Sequence, residues 1–140
     1  MKLRTLATEA APERHAAELD LVVPFTTTEL TRAALKAAEI LGDGLRGSIR
    51  LLKVQVVPFP MRQSPVHLGF LKKELGLFQS TLPLRTHILL AREYVPDLTR
   101  ALNHDSIVIL ATWRRPWRTR TESLARSLRS AGHRVVLVHA

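Results

Sequence analysis

The sequence predicts a doubly wound α/β domain: a five-stranded parallel sheet with helices on both faces. Three observations lead there. Five short apolar runs rich in β-branched residues punctuate the chain, the four segments between them carry helical stripes with capping signals, and the two kinds alternate at short spacing throughout. That alternation implies right-handed crossovers between parallel strands. Strand order is not fixed by the pattern; the order 3-2-1-4-5 is the one favoured.

The first 18 residues are polar, Ala-rich and charged, without a stripe to bury, and are expected to form a flexible extension to a domain spanning 19–140. "LDLVVPF" (19–25) is a nearly continuous apolar run, as suits a strand covered on both faces. In "TTTELTRAALKAAEILGDG", Thr26 and Glu29 have capping-box spacing. Leu30, Ala33, Ala34, Ala37 and Leu41 share one stripe, and Gly42 or Gly44 supplies the stop. "SIRLLKVQVVPF" (48–59) reads as the second strand. Ser64 and Pro65 then open a helix with Leu68, Leu71, Leu75 and Phe78 on one face. "LRTHILLA" (84–91) is the third strand, Pro96 opens a short helix with Val95, Leu98 and Leu102 inward, and "SIVILA" (106–111) is the fourth strand. Thr119 and Glu122 make a further capping box before a helix burying Leu124, Ala125, Leu128 and Ala131. Gly132 ends that helix, and "RVVLVHA" (134–140) is the fifth strand.

A chain of 140 residues is long enough for one self-sufficient core. It has no cysteine, which excludes disulfides, thiolate metal sites and a cysteine nucleophile. No run has signal-peptide or membrane-spanning character, so a soluble, cytoplasmic protein is expected. The formal charge of +9 is unevenly spread: from Trp113 onward seven arginines face one acid, Glu122. A regional excess of this kind points to an anionic partner, although a helix showing arginine to water accounts for the charge equally well.

In an open doubly wound sheet, ligands bind beyond the carboxyl ends of the strands where strand order reverses. With the favoured order, that place lies between the first and fourth strands, walled by "PFTTT" (24–28) and "TWRRPWRTRTES" (112–123). Helix amino termini at such a crevice present unpaired N–H groups that favour an anion.

From the first strand to the end, about 120 residues, the chain resembles the universal stress protein family. "LLKVQVVPFP" (51–60) is similar to that family's second strand, commonly L-L-H-V-V-P, and "ESLARSLRSAGHRVVLV" (122–138) aligns without gaps with its last helix and strand. The resemblance implies the 3-2-1-4-5 order, an adenine-nucleotide alpha-hydrolase-like fold and pairing of two copies through the fifth strand, here Val135, Val136, Leu137 and Val138. The family divides into ATP-binding and non-binding classes. Binders carry an Asp after the first strand and G-x-x-G, about nine residues, then G-S or G-T after the fourth. Here Pro24 or Phe25 stands at the Asp position, and Trp113, Arg114, Arg115 and Pro116 stand in the glycine loop. Glu122 replaces the last glycine; Ser123 matches, as does Val54, at the position whose backbone meets adenine in binders. A bulky loop with a proline opposes close approach of backbone to phosphate, so ATP binding of the family's kind is disfavoured and no cofactor is expected.

The loop admits three functional readings. Arg114, Arg115, Arg118 and Arg120, with Thr26, Thr112 and Ser123, clamp an anion or nucleotide; Trp113 and Trp117 stack on bases of a single-stranded nucleic acid; or the two tryptophans dock a protein partner. In a fourth, structural reading the tryptophans cap the sheet and the arginines are solvated. The six histidines show no metal-ligand spacing, and His87, inside a strand, is expected to be a core histidine. No nucleophile–base or paired-carboxylate pattern is present, so catalysis is not expected. The uncovered "VVLV" edge of the fifth strand is a physical reason, beside the family habit, to expect a homodimer.

Overall fold

A computed structural model describes residues 19–140; the expected extension, 1–18, lies outside the described residues. The elements alternate without exception: β1 (Leu19–Pro24), α1 (Thr28–Gly42), β2 (Gly47–Val56), α2 (Leu68–Leu75), β3 (Leu84–Ala91), α3 (Tyr94–Ala101), β4 (Ile107–Thr112), α4 (Arg120–Ser130) and β5 (Arg134–His139). The sheet order is β3-β2-β1-β4-β5, every neighbouring pair parallel. This is the order 3-2-1-4-5.

The winding explains the two cores. The chain moves outward from β1 through β2 to β3, then returns to β4 and moves outward the other way, so crossovers of one hand put successive helix pairs on opposite faces. On one face α1 and α2 cover Leu21, Val23, Ile49, Leu51, Ile109 and Ala111 with Leu30, Ala34, Leu35, Ala38 and Leu75. On the other, α3 and α4 cover Val22, Val54, Ala91, Val108 and Leu110 with Leu98, Leu102, Leu124, Ala125 and Leu128. Residues 21, 22 and 23 of β1 alternate between these cores and are all fully buried, as the continuous apolar run of a central strand requires.

Local departures from the sequence reading have physical causes. α1 starts one residue later, with Thr27 as its cap (Leu30 N–H to Thr27 Oγ1, 3.2 Å), so Glu29 falls too early in the first turn to complete a box. The Thr26 N–H instead donates to Thr31 Oγ1 (3.0 Å), and that bond turns Thr31 inward. The buried stripe is consequently Leu30, Thr31, Ala34, Leu35 and Ala38, and Leu41 is exposed. β2 stops at Val56, before two prolines that cannot donate to a ladder. α2 begins at Leu68 because the Ser64 hydroxyl closes a turn on Val66, and His67 becomes the cap, its Nδ1 accepting from the Gly69 N–H (3.0 Å). Leu68 is exposed, Leu71 and Leu75 are buried, and Phe78 reaches the core from beyond the helix end.

β3 has the expected bounds but forms an edge of the sheet, and His87 is exposed. The expectation of a core histidine there is corrected. Among the described residues the buried histidine is His133, 4% exposed, whose Nε2 lies 3.0 Å from the Thr99 carbonyl and whose ring stacks on His104 at 4.3 Å. α3 has no capping hydrogen bond from Glu93; Asp97 reaches back to accept the N–H groups of Arg92 (2.7 Å) and Glu93 (3.1 Å). Ala131 ends α4 and is exposed, not part of its buried face.

Candidate functional site

The carboxyl ends of β1, β2 and β4, with the first turns of α1, α3 and α4, enclose a cleft of about 850 Å³. It lies where the order reverses between β1 and β4. Two adjacent strands whose crossovers leave in opposite directions have no helix between their carboxyl ends, and this gap is the cleft.

One wall comes from β1 and the head of α1. Phe25 packs edge-on against Phe78 (5.9 Å, 78°), which holds its ring, and Thr26, Thr27 and Leu30 follow it. β2 contributes Lys53 and Val54, and the Lys53 ammonium sits 4.5 Å from the centroid of the Phe25 ring. Tyr94 and Val95 enter from α3. Burial pushes the Tyr94 phenol above its ordinary range, so it stays neutral at physiological pH.

The opposite wall is the β4–α4 segment. Thr112 is fully buried and its hydroxyl bonds the Thr119 hydroxyl, while the Thr112 carbonyl accepts the Ala140 N–H (2.8 Å). Thr119 also caps α4 in a complete capping box: the Glu122 N–H donates to Thr119 Oγ1 (3.1 Å) and the Thr119 N–H donates to Glu122 Oε1 (2.7 Å). That N–H, helped less by nearby Arg118, holds the Glu122 carboxyl below the usual carboxylate range. The hydroxyl pair pins the two ends of the loop together. The residues between must therefore bulge outward.

This decides where the candidate residues go. Thr26, Val54, Thr112, Trp113, Arg118, Arg120 and Ser123 all line the cleft. Arg114, Arg115 and Trp117 do not; they stand exposed on the bulge, with the Arg115 guanidinium 5.9 Å from the Trp117 ring. The cleft thus holds two of the four loop arginines, and it adds Lys53, Tyr94, Thr121 and Ser127, which the sequence did not single out, and Val95, expected only as an inward residue of its helix. Lys53 had a usable signal: it precedes Val54 at the end of the second strand, beside the first in the favoured order. Tyr94 had none, since nothing local sets how far α3 leans over the neighbouring strand ends.

Val135, Val136, Leu137 and Val138 lie on β5, the edge of the sheet opposite β3. Among the described residues, no group of three or more His, Asp or Glu side chains is placed to hold a metal ion, and no helix is long and apolar enough to cross a membrane. No protein-family model matches this chain, and no curated protein matches it.

Proposed function

We propose that this chain is a universal-stress-protein-like binding or regulatory module of the cytoplasm, non-catalytic, that holds a small ligand in the β1–β4 cleft with side chains in place of a glycine-rich phosphate loop. We further propose that two copies pair through β5. The observation that carries the reading is the lining of the cleft: Lys53, Arg118 and Arg120 line it together with hydroxyls and aromatic rings at a topological switch point. The loop that would have to bring backbone amides to a triphosphate is instead Arg114, Arg115 and Pro116, bulged away from the cleft.

Thermal unfolding with ATP, ADP, AMP and inorganic phosphate tests the ligand part. The expected result is no shift with about 1 mM ATP, whereas a nucleotide at a hundred times its dissociation constant adds about 2.7 kcal/mol. An ATP shift that Arg118→Ala and Arg120→Ala remove would replace this reading with a nucleotide binder that uses arginine side chains.

The exposure of Arg114, Arg115 and Trp117 outside the cleft favours a second reading, contact with single-stranded nucleic acid. It predicts affinity for a single-stranded oligonucleotide that falls steeply with salt and falls further in Arg114→Ala/Arg115→Ala. Absent or salt-insensitive binding rejects it.

A further inference from the structure

We infer that the ligand of the β1–β4 cleft is an organic anion of low charge with an apolar body, its anionic group held by Lys53 and Arg118 and its body laid against Phe25, Val54 and Tyr94. The inference rests on the small-molecule reading above and goes further by naming the chemistry the cleft selects.

The charges on the lining are Lys53, Arg118 and Arg120, and no Asp or Glu joins them. None of the three has an acidic partner among the described residues, where the ion pairs are Arg50–Asp20 and Arg100–Asp97. Glu122 lies near Arg118 and accepts the Thr119 N–H, but it forms no ion pair with Arg118 and is not on the lining of the cleft. Lys53 is held by the face of the Phe25 ring, which orients an ammonium without cancelling its charge. An unneutralised cation fixed on the wall of a cleft is a preorganised place for one anionic group.

The rest of the lining mixes apolar side chains, among them Phe25, Val54, Tyr94, Val95 and Trp113, with threonine and serine hydroxyls, and most of the area it offers is apolar. Phe25 is rigid, backed by Phe78. Size then discriminates between ligands. A cleft of about 850 Å³ lies in the range of sites for drug-sized ligands, so an inorganic anion would leave most of this apolar wall in water. A triphosphate fails for the opposite reason. Its several charges would face three partly exposed cations with no loop amides to share the load, and the apolar wall would still lack a partner of matching extent.

Two dyes of nearly the same body separate the terms: 1-anilinonaphthalene-8-sulfonate carries an anionic group, and N-phenyl-1-naphthylamine lacks it. The expected result is single-site fluorescence binding of the sulfonate at least about tenfold tighter than the neutral dye. Lys53→Met or Arg118→Met should remove most of that difference, and Lys53→Gln and Arg118→Gln serve if the Met variants fail to fold. Ser123→Trp, which fills the cleft from α4, should abolish both dyes. Decanoate and 3-phenylpropionate should displace the sulfonate, and inorganic phosphate should not.

Equal affinity for the two dyes, or affinities unmoved at positions 53 and 118, with both dyes still lost in Ser123→Trp, overturns the anion assignment and leaves the small-molecule cleft standing. Displacement by ATP as efficient as by decanoate also overturns it. Dye binding that survives Ser123→Trp lies elsewhere on the protein and overturns the cleft reading with it.

Discussion

At the scale of single residues, Thr119 has the widest consequences. Its hydroxyl caps α4 and meets the hydroxyl of the fully buried Thr112, so one side chain both starts a helix and closes the loop before it. Thr119→Ala should cost about 2 kcal/mol in urea unfolding, at the upper end for a cap because Thr112 loses its partner too, and Thr119→Ser should recover most of it. Glu122 supplies the other half of the box, and its folded-state pKa is depressed. A depressed carboxylate contributes stability that is complete above its unfolded pKa and is lost as pH falls through the folded value. Wild type should therefore unfold at a higher temperature than Glu122→Gln at about pH 6, with the gap narrowing as pH falls below the ordinary carboxylate range; a gap that does not narrow in acid rejects the assignment. The T-x-x-E spacing made this box readable from the sequence. The Thr112 contact was not, because two threonines seven positions apart meet only once a strand and a helix have been set end to end. Histidine shows the same boundary. Whether His87 or His133 is buried depends on which strand lies at the sheet edge and on a partner, the Thr99 carbonyl, from another element.

At the scale of elements, legibility followed how much each residue type commits the chain. The bounds of β3 and the buried face of α4 through Leu124, Ala125 and Leu128 were readable, since large apolar side chains at clear spacing leave one choice. α1 was harder because it is rich in alanine. Alanine fits either face, so rotating the helix by one position costs little until the Thr26–Thr31 bond selects Leu35 over Leu41 for the core. The passage from α1 to β2 rests on a close backbone approach that no local pattern announces. A Cβ on Gly47 would lie 3.0 Å from the Gly42 Cα, backbone that cannot swing aside, whereas a Cβ on Gly42 first meets the mobile end of Leu82, at 2.8 Å. Gly47→Ala should therefore destabilise by about 1–3 kcal/mol in urea unfolding. Gly42→Ala should cost less, offset by the gain of alanine over glycine in a helix. The reverse ranking would mean that the α1–β2 junction has room that these distances deny it.

At the scale of the whole molecule, the pattern of alternating elements implied parallel strands and two helical layers, but not the direction in which each crossover turns. The hand of a crossover decides which face its helix covers once a direction is taken; reversing all directions gives the same composition of faces. The order β3-β2-β1-β4-β5 leaves β3 and β5 as edges, and they differ in character. β3 shows Arg85, Thr86 and His87 to solvent in its first half, polar side chains of the kind that discourage edge pairing, with Leu90 exposed near its end. β5 carries Val135, Val136, Leu137 and Val138 in succession, none fully buried and Val136 38% exposed. An apolar edge beside unpaired backbone groups is stabilised by a second strand, and a two-fold axis supplies an identical one. The proposed pairing predicts a dimer in light scattering at about tens of micromolar, the range in which weak but specific subunit contacts are populated. Val136→Lys should give a monomer, because it would put a charge into the apolar seam from both copies, while its intrinsic unfolding stays within about 0.5 kcal/mol of an equally dilute wild type. A monomeric wild type, or a dimer indifferent to Val136→Lys, would move the contact away from β5 and leave that edge to some other partner.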